Sequence, residues 1–187
     1  MRKILTIALA LTLCSGVAMA DQIGAYSDQA GTSCSFNPAN FALVTLYLVQ
    51  DSNGATASKF MISDASGMSP TGTSVTAGFL SIGSYATGIE IAYPQCQNTK
   101  VVIGTLGYFH QMETMNCSRT VQVVAHPGSE VAGEVILVDC NLPFGNIEVA
   151  EGGRAWGGTD SEACGGCFEP TVPTSESTWG GIKALYR

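Results

Sequence analysis

From residue 41 to 139 the chain repeats one texture, short runs rich in Val, Ile and aromatic residues, each closed by Gly, Asn, Pro or Ser. The runs at 41–50, 57–64, 74–82, 88–93, 100–109, 120–125 and 131–139 recur about every 10 to 15 residues. Residues 21–28 add a candidate first strand with Ile23 and Tyr26 as its apolar points. Nothing before residue 170 carries the 3.6-residue period of an amphipathic helix over ten or more positions. Short strands at regular spacing with turn residues between them form antiparallel sandwiches or barrels. The expected fold is therefore all-β: an antiparallel immunoglobulin-like sandwich of about seven to nine strands, with a closed β-barrel as the alternative. The clearest strand is FALVTLYLVQ at 41–50, followed by the turn Asp51-Ser52-Asn53-Gly54, and residues 65–73 read as a loop.

Ahead of this domain stand Met1-Arg2-Lys3, an apolar stretch from 4 to 18 and the small-residue exit Ala18-Met19-Ala20. That order describes a signal peptide over 1–20 with cleavage before Asp21 and a secreted or periplasmic product. Leu13 before Cys14 does not suit a lipid-attachment box. No other segment approaches the ~18 continuous apolar residues that a membrane-spanning helix needs. Residues 21–187 hold 15 acidic and 6 basic side chains, a net of −9, and the basic residues are scattered. Nucleic acid, which needs clustered cations, is not an expected partner.

Six cysteines follow the leader: Cys34, Cys96, Cys117, Cys140, Cys164 and Cys167. An even count in an exported chain reads as a disulfide framework, with fifteen possible pairings. If the later strands run up and down in order, Cys96 and Cys117 lie at opposite ends of a strand about 33 Å long. Bridged Cα atoms lie within ~7 Å, so those two cannot pair. The same parity favours Cys117 with Cys140, leaving Cys34 with Cys96 and Cys164 with Cys167.

Cys164-Gly165-Gly166-Cys167 is the one redox candidate, and a thiol-disulfide protein using that pair is the alternative function. It lies in an acidic, Gly-rich stretch with Glu162 and Glu169 nearby, and acidic neighbours oppose thiolate formation. A zinc site wants a second CxxC or a His pair, and only His110 and His126 are present, each at a strand end. No metal or cofactor is expected. No GxSxG elbow occurs. Glu90, Glu113, Glu134 and Asp139 are available as paired carboxylates, but Glu90 and Glu134 fit the solvent face of strands. Asp51, Asn53 and Asp64 match no complete calcium loop. Asn116-Cys117-Ser118 is a sequon only in a eukaryotic setting.

Beyond a β-sandwich over 21–150, residues 151–178 read as a Gly-rich acidic, Cys-containing loop and polar linker, and 179–187 as a C-terminal aromatic tail. Trp156, isolated among glycines, and Trp179, Ile182 and Tyr186, spaced to share one side of a helix, are the candidate binding residues. Asp21-Gln22-Ile23-Gly24, Asn53-Gly54-Ala55-Thr56-Ala57-Ser58, Val138-Asp139-Cys140 and the tail TWGGIKALYR at 178–187, with Cys34, span most of the chain after the leader. In these the chain resembles a group of uncharacterised exported β-sandwich proteins from environmental bacteria. The resemblance implies a shared exported sandwich with an appended peptide and carries over no functional residue. A second likeness, to cohesin-type sandwiches, rests on the strand pair around 41–64. The expected function is a secreted, non-enzymatic extracellular or envelope module with a structural role or a protein or glycan partner at the cell surface.

Overall fold

A computed structural model describes residues 21–64, 68–111, 117, 119–141, 145–158 and 164–168. The leader, the polar linker at 169–178 and the aromatic tail expected at 179–187 lie outside the described residues. The described chain is all-β and contains no helix. Its strands are β1 (Gln22–Tyr26), β2 (Ser35–Phe36), β3 (Ala42–Asp51), β4 (Ala55–Asp64), β5 (Met68–Val75) and β6 (Leu80–Ser84). They continue as β7 (Gly88–Gln97), β8 (Val101–His110), β9 (Arg119–Val124), β10 (Val135–Asp139), β11 (Ile147–Gly152) and β12 (Arg154–Gly157).

One sheet runs β5–β8–β3–β1, and the facing one runs β6–β7–β4–β10–β11. Strand β4 is shared along its length: its first half pairs with β7 and β10, and its second half, from Met61 to Asp64, pairs with β9. Strands β12 and β2 extend outward from β9. The end of β11 crosses to the first sheet, pairing in parallel with Gln22 and Ile23 of β1. The ends of this path, β2 and β5, do not pair with each other, so the architecture is an open sandwich and not the alternative closed barrel.

Alternation along each strand places one residue set between the sheets. Val44, Leu46 and Leu48 of β3, Phe60 and Ile62 of β4, Ile89 and Ile91 of β7, and Leu137 of β10 meet in one core with Ile23, Ile103, Leu106, Val121 and Val123. A bulge in β8 opposite Leu48 and Val49 reverses its alternation, so Ile103 and Leu106 both point inward. The inward polar residues of this region satisfy one another. The Tyr93 hydroxyl donates to Gln50 Oε1 at 2.5 Å and accepts from the Ser58 hydroxyl at 2.7 Å, since it has a single proton to give. Gln50 Nε2 donates to Ser52 Oγ, which donates to the Gln97 carbonyl. A connected network of this kind removes the cost of burying each group alone.

The structure departs from two expectations. Within 65–73, read as a loop, residues 68–73 form most of edge strand β5, whose Ser, Thr and Gly residues are recruited by pairing to β8. The loop assigned from residue 151 begins instead as the end of β11 and strand β12, and Trp156 is paired with Thr120 and Ser35 on its two sides. Available partners on a neighbouring edge outweigh local composition in both cases. Phe60 is fully buried while Phe41 is 71% exposed. Phe60→Ala is expected to cost about 3–5 kcal/mol of stability and Phe41→Ala less than about 0.5 kcal/mol. Equilibrium denaturation with guanidinium checks both values.

Candidate functional site

The outward residues of the β6–β7–β4–β10–β11 sheet form two cross-strand rows. The first is Leu80, Ala92, Ala57, Val138 and Ile147, each directly opposite the next in the ladder. The second is Ile82, Glu90, Lys59, Ile136 and Val149. Directly paired residues of neighbouring strands lie on one face about 5 Å apart, so the ten form a single continuous surface. It is apolar except for Lys59 and Glu90. Leu80 and Ile82 are about three-quarters exposed, and Ile147 and Val149 about half exposed. Soluble domains rarely leave contiguous apolar patches of this kind on a sheet face.

At its centre Lys59 Nζ lies 3.1 Å from Glu90 and 2.9 Å from Glu130, the latter from the turn region before β10. Its bond to Glu130 raises the lysine pKa, and the same contact lowers that of the Glu130 carboxyl. Two carboxylates thus share one ammonium, leaving the centre of the face one charge negative. Around them Ala57, Ile136, Val138 and Ile147 line a shallow depression of about 170 Å³. Ile136 is 2% exposed although it points away from the core between the sheets.

Asp139 fixes the strand ends that carry this face. Its carboxylate accepts from the Asn146 side-chain amide at 2.8 Å and the Asn146 backbone N–H at 2.6 Å. It also accepts from the backbone N–H of Asn141 at 3.0 Å and from the Asn141 side-chain amide. These bonds close the connection between β10 and β11. The Asn146 side-chain bond is the largest cause that pushes the Asp139 pKa down to about 2.

The disulfides are Cys34–Cys167, Cys96–Cys140 and Cys117–Cys164, and none matches the pairing expected from up-and-down order. That order fails because β7 and β10 flank β4 on opposite edges, both antiparallel to it. Their C-terminal ends therefore meet beside the start of β4, where Cys96 joins Cys140. Gly54 sits against this bond with φ +146°, and a Cβ there would lie 3.3 Å from the Cys140 sulfur. The expected Cys164–Cys167 bond is absent because each sulfur is bonded elsewhere. Cys117 precedes β9 and Cys34 precedes β2, the two neighbours of β12, so the CGGC segment straps across β12 between them.

Under that strap, Trp156 donates its indole N–H to the Gly166 carbonyl at 3.1 Å, and the Arg154 guanidinium lies 5.2 Å from its ring. Trp156 packs with Tyr26, Cys34, Val49 and Phe168 on the outer side of the β1–β3 sheet. The structure therefore separates it from the face described above. Trp179, Ile182 and Tyr186 lie outside the described residues, as does Glu113. His110 is buried, with Nδ1 3.2 Å from the Ala39 carbonyl, and His126 accepts the Gly128 N–H in a turn. Asp51 pairs with Lys100 at 3.6 Å. The apolar face escaped sequence reasoning because its residues come from five strands. Only the register between those strands brings Leu80 and Ile147 into one row, though β6 and β11 each carry the signal of two apolar residues two apart.

No family model matches this sequence, and no curated protein matches it either. Among solved structures, the chain is similar to the solution structure of CaCohA2 from Clostridium acetobutylicum, at 12% identity and TM-score 0.47, over 75% of this chain and 92% of that one. It is similar to a cohesin module from a Clostridium perfringens family 33 glycoside hydrolase at 4% identity and TM-score 0.47, over 74% and 97%. A third is the seventh ScaB type I cohesin of Pseudobacteroides cellulosolvens, at 10% identity and TM-score 0.45, over 81% and 96%. The sandwich assignment rests on the strand pairings described above.

A carboxyl whose folded pKa is depressed contributes stability above its ordinary range and loses it as pH falls through the folded value. Asp139 should therefore add an acid-sensitive component that disappears between about pH 4 and pH 2. Asp139→Asn is expected to lower stability at neutral pH and to flatten the stability profile over that interval. Thermal melts at closely spaced pH values check the slope.

Proposed function

We propose that this protein is an extracellular or envelope module without catalytic activity, which holds a protein partner on the outer face of the β6–β7–β4–β10–β11 sheet. The observation that supports this reading is the pair of cross-strand rows, apolar and exposed at both ends and one charge negative at the centre. Such a surface suits a protein segment that presents aliphatic side chains next to a lysine or arginine: burial of the former removes apolar area from water, and the latter neutralises the carboxylate that Lys59 leaves over. The three disulfides fit an oxidising compartment, as does the leader-like start of the chain.

A protein partner is favoured over a glycan by the chemistry of this face. Sugar platforms rely on open aromatic faces, whereas the rows contain none, and Trp156 is engaged by Arg154 and Gly166. A thiol-disulfide enzyme on Cys164 and Cys167 is disfavoured because those sulfurs are committed to Cys117 and Cys34.

The test is retention of the protein at the surface of cells that export it, against the amount released to the medium. Ile82 and Ile147 are exposed, so Ile82→Glu with Ile147→Glu should leave the melting temperature within a few degrees. The double variant is expected to lose at least about tenfold in the retained-to-released ratio, the equivalent of about 1.4 kcal/mol. An unchanged ratio overturns the reading.

A further inference from the structure

The net charge of the chain is unevenly divided. Residues 21–178 hold all 15 acidic side chains and only 4 basic ones, whereas 179–187 hold Lys183 and Arg187 and no acid. The segment 179–187 is thus a short cationic and apolar piece attached to a strongly acidic domain. Within it Ile182 stands beside Lys183, with Trp179 and Tyr186 spaced to fall on the same side as Ile182. This is the combination that the depression around Lys59 calls for: an aliphatic group for the floor of Ala57, Ile136 and Ile147, and a cation for the carboxylate surplus of Glu90 and Glu130.

The point at which the described chain ends favours a neighbouring copy. Phe168 packs against Tyr26 with ring centroids 6.4 Å apart, and its neighbour Cys167 is bonded to Cys34. Both contacts lie on the outer side of the β1–β3 sheet, the opposite side of the sandwich from the candidate face. The ten residues from 169 to 178 include Pro170 and Pro173 and reach at most about 33–36 Å when fully extended. To serve its own domain this linker would have to round the edge of two sheets packed about 10 Å apart, with side chains on both outer surfaces. The face of a neighbouring copy requires no such detour.

We propose that the segment 179–187 of one copy docks on the outer face of the β6–β7–β4–β10–β11 sheet of the next. The inference rests on the reading of that face as a docking surface and names its partner as a second copy of this chain. Each copy then offers one segment and one face at different places on its surface. That contact is heterologous, and a heterologous contact that does not close into a ring gives open, head-to-tail assemblies. Mutual repulsion between domains of net negative charge works against such contact at low ionic strength, and the cationic segment offsets it locally.

Sedimentation velocity on the oxidised protein from Asp21 to Arg187, between about 5 and 500 µM, reads the micromolar-to-millimolar dissociation range. The weight-average sedimentation coefficient of the wild type is expected to rise with concentration. Ile182→Glu, in the segment itself, and Ile82→Glu, on the exposed face, are each expected to weaken association at least tenfold. Lys183→Glu should weaken it as well, and mixing that variant with a Glu130→Lys copy should recover part of the loss. A wild type that stays monomeric overturns the inference, as does association insensitive to either isoleucine variant. A concentration-independent monomer in which Ile182→Glu deprotects β4 and β10 to hydrogen exchange also overturns it, because the segment then serves its own domain. If the wild type is monomeric but the retention assay still responds to Ile82→Glu with Ile147→Glu, the face docks a different protein: the inference falls and the proposed function stands.

Discussion

Strand β4 is the element on which the rest depends. It is hydrogen-bonded along both edges and by three strands in turn, β7 and β10 over its first half and β9 over its second. Because successive residues of a strand point to opposite faces, its alternation divides the molecule's two roles. Ser58, Phe60 and Ile62 point inward and fasten the core, while Ala57 and Lys59 point outward and form the middle of the exposed rows. A slip of one residue in this strand would exchange the two sets, placing Lys59 in the core and Phe60 in water. The start of the strand is held against such a slip: Gly54 is packed beside the Cys96–Cys140 bond, and that bond ties together the strands on either side.

The fold class was legible in the sequence because it depends on period alone. The 41–50 run became β3, and the turn signal at 51–54 stands where the chain crosses from β3 in one sheet to β4 in the other. What could not be read was spatial order. The cysteine pairing followed from an assumption that successive strands are neighbours, whereas β8 leaves for the other sheet and β9 returns beside β4. Each wrong pair traces to that jump. The spacer in Cys164-Gly165-Gly166-Cys167 had a physical meaning all the same. Two residues between the sulfurs let them fall on either side of one strand, since neighbouring strands lie about 4.8 Å apart and Cys34 and Cys117 sit two strands from each other. The pair that looks like a redox motif in one dimension is a strap in three.

The candidate face was hidden for the same reason. Leu80, Ile82, Ile147 and Val149 are separated by more than sixty residues between the two pairs, and neither pair alone differs from the scattered surface hydrophobics of any domain. Glu90 was visible as a strand residue facing solvent, and it stands there beside Lys59. Their apolar company depends on the register of β6 on β7 and of β11 on β10, which no local pattern encodes.

Edge strands β5 and β6 carry opposite treatments, and that contrast bears on whether the exposed apolar face is an accident of composition. Edge strand β5 contains Pro70 and a register irregularity between Pro70 and Gly72, two devices that discourage pairing by a foreign strand. Edge strand β6, LSIGS, contains neither proline nor charge, and all five residues are exposed. Had selection acted only against association, the β6 side would be the one in greater need of protection, because it carries Leu80 and Ile82 beside the apolar rows. Instead, the charges among the ten residues of the face, Lys59 and Glu90, are placed at its middle and paired with each other, which leaves its ends apolar. Protection on one edge and openness on the other is the arrangement expected of a surface kept available for a particular partner.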